Sequence, residues 1–185
     1  MSDVVSALKG ARASGLVDLA DAGATGMITL RGDLGLLAGA LDSVLGLALP
    51  GQRQVVAGEG AQVLWMSPDE LLVVLPYAEA PMTAARLEAA LDGEFATVAV
   101  VSDARALIRV SGAQARDVLA KLMPVDFADF PVGTLRRSRA AQVAAAVWRS
   151  SETEWSLVCF RSVAGYLWEA LATVSQPGGE VGLYR

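Results

Sequence analysis

Two pairs of segments in this chain resemble each other at a constant spacing of 80 residues. The segment "ITLRG" at 28–32 recurs as "IRVSG" at 108–112, and "AQV" at 61–63 recurs at 141–143. A period of this kind indicates that one supersecondary unit occurs twice along the chain. The repeat therefore restricts the fold to one that is built from two similar halves.

Each copy carries the same order of hydrophobic patterns. A β-like segment that ends in glycine leads into a helical pattern, and a hairpin follows that turns at 67–70 in one copy and at 150–154 in the other. A second helix follows over 80–92 and 162–174, and "FATVAVVS" and "EVGLYR" supply the closing strands. The order is βαββαβ in both copies, which is the ferredoxin-like arrangement.

This order predicts an α+β fold of two tandem ferredoxin-like βαββαβ units, packed as one pseudo-symmetric domain. The first half is predicted over residues 27–103 and the second over 104–185. Residues 1–26, rich in Gly, Ala and Asp, match neither copy and are predicted to be an N-terminal arm.

The first helix of each copy shows one apolar face. The apolar positions are Leu34, Leu37, Leu41, Val44 and Leu45 in the first copy, and Ala115, Val118, Leu119 and Leu122 in the second. In the first helix of the second copy, this spacing leaves Arg116, Asp117 and Lys121 on the side predicted to face solvent.

Composition excludes several classes of protein. The net charge of −5 argues against nucleic-acid binding, which requires a basic surface. The chain contains no histidine, so a Ser-His-Asp triad, a Cys-His pair and a histidine-ligated zinc site are excluded. The hydrophobic content of 54% is high for a chain with 19% charged residues, and it suggests that some apolar surface is buried against a partner.

The expected location is the cytoplasm. A single cysteine, Cys159, cannot form an internal disulfide, which suits a reducing compartment. The first residues contain no continuous apolar run, so we expect no signal peptide. The most apolar stretch, residues 34–49, is shorter than the roughly 20 residues that a membrane span needs, and it carries Asp42. We interpret it as a buried helix followed by a loop and expect no membrane association.

Several motifs resemble the gamma subunit of heterotetrameric sarcosine oxidase. They are "LRGDLG", "LWMSPDELLVVLP", "VSDARALIRVSGAQARDVLAKLMPVDF", "FPVG" and "CFRSVAGYLWEALA", and the similarity extends from about residue 27 to 175. The chain differs from the family near Asp126. Met123 and Ala128 stand near the positions where the family tends to have a cysteine and a histidine.

The resemblance implies a complex that oxidises the N-methyl group of sarcosine and transfers the one-carbon unit to tetrahydrofolate. It places NAD and folate sites in the alpha subunit, FAD in the beta subunit, FMN with the beta subunit, and zinc in the delta subunit. The gamma subunit itself holds no cofactor, and its main contact is the alpha subunit. The resemblance also implies a fold similar to the folate-binding region of the glycine-cleavage T-protein.

Asp126 is the main catalytic candidate. It follows a helix and precedes Gly133-Thr134-Leu135, and T-protein-like aminomethyltransferases have a catalytic aspartate and a Gly-Thr-Leu in a similar arrangement. A carboxylate in that position could orient a folate amine and stabilise positive charge. The alternative is a turn in which the aspartate accepts a backbone hydrogen bond two residues on. We favour the turn, because no second carboxylate is placed convincingly for proton transfer.

Other residues are candidates for contact with a partner. Arg136, Arg137 and Arg139 could pair with carboxylates, although arginines on an edge strand also discourage unwanted strand pairing. Tyr166 and Trp168 flank the apolar face of the last helix, and large aromatic side chains are frequent anchors at interfaces. Cys159 lies in an apolar strand and is predicted to behave as a small hydrophobic residue.

Three functions are consistent with the sequence. The leading hypothesis is a non-catalytic subunit that stabilises a sarcosine oxidase complex. The second is a free-standing folate-binding or aminomethyltransferase-like protein that uses Asp126. The third is a carrier of a small apolar ligand, which only the hydrophobic composition supports.

Overall fold

The computed structural model describes residues 4–184, which divide into two units. One unit is the continuous segment Ala24–Ser102. The other combines the residues up to Gly23 with those from Asp103 onward. The chain thus leaves one unit, builds the second, and returns to the first.

The continuous unit contains a five-stranded antiparallel sheet and two helices. Its strands occur in the spatial order β4-β5-β6-β3-β7. The elements are β3 (Thr25–Arg31), α1 (Leu34–Leu45), β4 (Val55–Ala57), β5 (Gln62–Ser67), β6 (Glu70–Pro76), α2 (Ala80–Ala90) and β7 (Thr97–Val100). If β4 is set aside as an additional edge strand, the order is that of a ferredoxin-like βαββαβ unit.

The other unit contains a six-stranded antiparallel sheet in the order β1-β2-β8-β11-β10-β9. Its elements are β1 (Arg12–Ser14), β2 (Asp18–Asp21), β8 (Arg105–Ser111), α3 (Ala115–Ala120), β9 (Leu135–Ala140), β10 (Val143–Arg149), β11 (Glu154–Phe160) and α4 (Ala164–Val174). The predicted α+β class and the two ferredoxin-like units are confirmed.

The predicted repeat corresponds to equivalent strands. The segment 28–31 lies in β3 and the segment 108–111 lies in β8, and each of these strands pairs with the second strand of its own hairpin. Gly32 and Gly112 follow them with φ of +154° and +132°, a region that residues with a side chain seldom adopt. The repeat is therefore structural, and both glycines are required by the backbone.

Residues 1–26 were predicted to be an arm outside both repeats, and this was wrong for the part that forms strands. Strand β2 pairs with β8, with Leu19 opposite Val110 and Asp21 opposite Ile108. It occupies the place beside β8 that β7 occupies beside β3. An N-terminal strand therefore completes the second ferredoxin-like sheet.

The closing strand predicted over "EVGLYR" was also wrong. The described part of that segment, residues 180–184, has no strand, and Gly182 takes a left-handed φ of +61°. The edge of β8 that such a strand would need is already paired with β2. The last residue of the prediction, Arg185, lies outside the described residues.

Helix α1 forms where the apolar periodicity predicted it. Asp33 caps its start by accepting hydrogen bonds from the backbone N–H groups of Gly35 (2.8 Å) and Leu36 (3.3 Å). Leu37 and Leu41 are fully buried. The helix is 12 residues long, and within residues 4–184 no helix is long and apolar enough to cross a membrane.

The position of β2 makes a prediction about stability. Leu19 is 2% exposed and belongs to the core of its unit. Replacing a buried leucine by alanine costs about 2–5 kcal/mol through lost burial and the cavity that remains. Leu19→Ala should lower the free energy of unfolding by that amount in urea denaturation.

The neighbouring Asp18 is exposed and serves as the control. Asp18→Ala should change the free energy of unfolding by no more than about 0.5 kcal/mol, as is usual for surface positions. Equal, small effects of both substitutions would show that the N-terminal segment is a free arm in solution.

Candidate functional site

Two buried phenylalanines hold the loop between α3 and β9 in place. Phe127 and Phe130 are at most 1% exposed, and their rings stack at 5.6 Å. Trp155 of β11 packs edge-on against both, with ring centroids 5.4 and 4.8 Å away. Aromatic contacts of this geometry add to the stabilisation from burial. The loop is thus anchored to the core, with Asp126 directly before the first anchor and Asp129 between the two.

Asp126, the main catalytic candidate, lies exposed in this loop. Its carboxylate accepts a hydrogen bond from the backbone N–H of Ala128 at 2.8 Å. This is the turn that the sequence analysis favoured. Within residues 4–184, no hydrogen bond or ion pair joins Asp126 to another charged side chain. Its observed contact orders the loop itself.

The Gly-Thr-Leu that follows forms the turn into β9. Gly133 has a φ of +80° and donates its N–H to the carbonyl of Arg149 at 2.9 Å. Thr134 donates its N–H to the carbonyl of Pro131 at 3.1 Å. Leu135 is buried as the first residue of the strand. This segment therefore has a clear conformational role.

Arg149 is an organising residue that the sequence analysis missed. It is 5% exposed, and its guanidinium donates to the carbonyls of Phe130 (3.1 Å), Ser151 (3.1 Å) and Glu152 (2.8 Å). The same group pairs with the Glu152 carboxylate at 2.6 Å. A buried guanidinium needs hydrogen-bond acceptors and an opposite charge to offset the loss of its hydration. Arg149 ties the β10–β11 turn to the aromatic loop. The signal in the sequence was an arginine at a strand end with a glutamate three residues on.

Asp117 was predicted to face solvent, and this was wrong. It is 6% exposed, and its Oδ1 accepts the backbone N–H groups of Leu183 and Tyr184, both at 3.0 Å. The Tyr184 hydroxyl in turn accepts the N–H of Phe127 at 3.4 Å. The C-terminal segment thus covers the helix face that periodicity assigned to water. Helical spacing shows where a side chain points but not which distant segment lies there.

Strand β9 carries the three candidate arginines and is an edge of its sheet. Arg136 lies over the ring of Phe130, 5.2 Å from its centroid. Arg137 and Arg139 alternate with it and are exposed. The edge position predicted for them is confirmed. Strand β9 thus carries three arginines and no acidic residue.

Helix α4 carries the two candidate aromatics. Leu167 and Leu171 are fully buried and form the apolar face that the sequence indicated for this helix. Trp168 is partly buried and packs against the core of its own unit. Tyr166 remains 48% exposed. Of the two aromatics, Tyr166 is the one with a large free surface.

Cys159 is buried in β11 at 2% exposure. Burial raises the pKa of its thiol to about 11, although the nearby Arg105 acts in the opposite direction. The thiol is therefore protonated at neutral pH and is a poor nucleophile. This agrees with the prediction that it behaves as a small hydrophobic residue.

The buried charged side chains of this region have structural partners. The sequence has no histidine, and residues 4–184 contain no group of three Asp, Glu or Cys that could hold a metal ion. Asp117 and Arg149 are engaged in structural contacts. The arrangement is suited to holding loops in place and presenting surfaces.

The contact between Asp117 and the C-terminal segment can be tested directly. Asp117→Ala leaves two backbone N–H groups without their acceptor, which should cost about 1–3 kcal/mol of unfolding free energy. The amides of Leu183 and Tyr184 should then exchange hydrogen much faster than in the original chain. Asp117→Asn retains an acceptor oxygen and should preserve most of the protection. Unchanged exchange in Asp117→Ala would contradict the assignment.

Comparison with known proteins identifies the family. The model of the sarcosine oxidase gamma subunit family matches residues 31–176. The sarcosine oxidase subunit gamma of Corynebacterium sp. (strain P-1) is 37% identical over 123 residues, which are 64% of this chain and 60% of that protein. The corresponding protein of Arthrobacter sp. is 38% identical over 120 residues, 63% of this chain and 58% of the relative. The matched region thus spans about 60% of the length of these relatives.

Solved structures agree with this result. A chain of the heterotetrameric sarcosine oxidase from Corynebacterium sp. U-96 is 28% identical, with a TM-score of 0.77 over 88% of both chains. The glycine cleavage system aminomethyltransferase T from Bartonella henselae has a TM-score of 0.62 over 82% of this chain and 44% of that one. At 20% identity, the latter match shows a shared fold alone. Because the family model covers most of its length, the chain belongs to the sarcosine oxidase gamma subunit family.

Proposed function

We propose that this chain is the non-catalytic subunit that stabilises a heterotetrameric sarcosine oxidase complex. The complex would oxidise the N-methyl group of sarcosine and pass the one-carbon unit to tetrahydrofolate. The observation that carries the proposal is the likeness to a chain of a heterotetrameric sarcosine oxidase, with a TM-score of 0.77 over 88% of both chains. A likeness over so much of both chains supports a shared role as a subunit.

The contacts around Asp126 support a non-catalytic role. A general acid or base needs a reacting partner within hydrogen-bond reach and a suitable pKa. The observed hydrogen bond of Asp126 is to its own loop, at 2.8 Å to the N–H of Ala128. Burial keeps the Cys159 thiol protonated, with a pKa of about 11. The described chemistry is thus that of a scaffold.

Two surfaces of the split unit, which contains β9 and α4, are suited to partner contact. Tyr166 exposes nearly half of a large aromatic side chain on α4, and such residues are frequent energetic anchors. Arg139 is exposed on the β9 edge, where a carboxylate of a partner could bind in a bidentate manner. We propose that the alpha subunit makes the main contact and that the beta and delta subunits complete the assembly.

The cofactors would reside in those partner subunits. FAD, FMN, NAD, folate and zinc are proposed there, and this chain is proposed to hold none of them. The whole complex is proposed to be cytoplasmic. The single cysteine of this chain suits the reducing conditions of that compartment.

The alternative function is a free-standing folate-binding or aminomethyltransferase-like protein that uses Asp126, and the shared fold with aminomethyltransferase T is its support. Asp126→Asn should leave the turnover of the assembled complex within a few-fold of the original, because the amide oxygen can still accept the N–H of Ala128. A loss of about a hundredfold or more, with the fold intact by circular dichroism, is what a positioned catalytic group would give. That result would favour the transferase.

The contact through α4 is tested by Tyr166→Ala. Truncating an anchor residue typically weakens binding by about tenfold or more. When the variant is co-expressed with the other subunits, the amount that co-purifies should fall accordingly. Trp168 is a poorer probe, because it also packs against the core of its own unit.

Met82 provides a matched control, because it occupies the third position of α2 as Tyr166 does of α4, and it is 73% exposed. Met82→Ala should assemble like the original chain. If both variants assemble normally, α4 does not form the contact and the β9 edge becomes the main candidate.

A further inference from the structure

Phe95 is 98% exposed, which is unusual for a phenylalanine held in an ordered loop. The backbone on both sides of it is fixed. Glu94 donates its N–H to the carbonyl of Leu91 at 3.0 Å, and Ala96 donates its N–H to the carbonyl of Glu94 at 2.9 Å. Leu91 is buried, and Ala96 packs against the core of its unit. The loop therefore presents the ring in a defined place.

The repeat supplies an internal comparison for Phe95. Thr97 pairs with Arg31 at the end of β3, and Asp18 pairs with Ser111 at the end of β8. Since these strands are equivalent, Phe95 and Leu16 occupy equivalent positions, each two residues before its pairing strand. The equivalence extends to the adjacent glycines. A Cβ at Gly32 would lie 3.2 Å from the carbonyl oxygen of Phe95, and one at Gly112 would lie 3.7 Å from that of Leu16.

The two side chains nevertheless have different surroundings. Leu16 is partly buried against the core of its own unit, and its N–H binds the carbonyl of Ser175 at 2.8 Å. Phe95 makes no comparable contact and projects into solvent. The same backbone position thus serves internal packing in one unit and presents a larger aromatic group in the other. Packing within the unit does not explain why a phenylalanine stands at this position.

A groove lies beside Phe95 within the continuous unit. Its volume is about 690 Å³. The lining residues are Arg31, Gly32, Asp33, Leu34, Gly35, Pro68, Asp69, Phe95, Ala96 and Thr97. Leu34 and Pro68 give the groove an apolar part, and its volume lies within the range of pockets that bind ligands.

The surroundings of the groove are acidic. Asp33 and Asp69 line it, and the exposed Asp92 and Glu94 precede Phe95 in the loop. The one guanidinium in the lining, that of Arg31, pairs with Asp69 at 3.0 Å. A hydrogen bond from Ser67 and this guanidinium lower the pKa of Asp69, so its carboxylate stays charged. A docking segment would therefore meet net negative charge around an aromatic residue.

We propose that Phe95 and this groove form a second docking surface for a partner chain of the complex. The complementary partner surface carries an apolar pocket for Phe95 and is surrounded by lysine or arginine side chains. Charge complementarity would steer the encounter, and the fixed loop would limit the entropy lost on binding. This inference rests on the proposed subunit role and adds a contact separate from Tyr166.

The test uses the full chain co-expressed with its partner subunits. Phe95→Ala should reduce co-purification at least tenfold, because an anchor is removed. Glu94→Lys should weaken assembly more at low salt than at high salt, because screening reduces charge effects. Met82→Ala, which removes another exposed apolar side chain of the same unit, should have no effect. Circular dichroism should show that all three variants are folded.

Each outcome decides the proposal. Normal assembly of Phe95→Ala, alongside an original chain that assembles, would overturn the docking surface and leave the subunit role intact. Failure of the original chain to assemble with any partner would overturn both. Light scattering of the lone chain adds one more outcome. If it dimerises and Phe95→Ala abolishes the dimer, the groove binds a second copy, and the proposed partner is wrong.

Discussion

The pairing of β2 with β8 is the constraint on which the split unit depends, the unit formed by the residues up to Gly23 and those from Asp103 onward. Strand β8 lies between β2 and β11, so a strand that begins at Asp18 completes a sheet whose central strand β8 begins only at Arg105. This pairing requires the closure of a long loop, whereas the other unit is continuous in sequence. We therefore expect the continuous unit to form with less loop-closure cost and the split unit to form more slowly.

The same arrangement explains how the polar side chains are used. With β2 beside β8, the C-terminal segment lies instead against α3, where Asp117 binds its backbone. Arg149 joins the β10–β11 turn to the aromatic loop, and Asp126 orders a turn within that loop. Each of these groups stabilises a local conformation. The candidate partner contacts on the surface are an aromatic ring on α4, the arginine-bearing edge strand β9 and the Phe95 loop.

The sequence predicted those parts of the fold in which the signal is local. Periodicity identified α1 and α4, and turn residues identified both hairpins. The spacing of 80 residues identified β3 and β8 as equivalent strands of the repeat. It also predicted the turn at Asp126 and the burial of Cys159. These features depend on neighbours within a few residues, or on a repeated pattern.

The contacts that escaped prediction are non-local. Nothing in residues 18–21 indicates that they pair with a strand at 108–111, because a four-residue strand has almost no pattern of its own. Asp117 had the spacing of a solvated position, and its partner lies 66 residues further on. Arg149 has the local sequence of a surface arginine, and the carbonyl of Phe130 that its guanidinium binds lies 19 residues earlier in the chain. Phe95 was the first residue of the predicted strand "FATVAVVS", whereas β7 begins at Thr97 and leaves Phe95 in the preceding loop.

The central claim is that this chain contributes surfaces and not a folate site, and a calorimetric titration of the lone chain with tetrahydrofolate tests it most directly. The account predicts no saturable heat for the purified chain, while the assembled complex binds the same ligand. Stoichiometric binding to the lone chain that is lost in Asp126→Asn would contradict the account. That result would identify the loop around Asp126 as a folate-binding site.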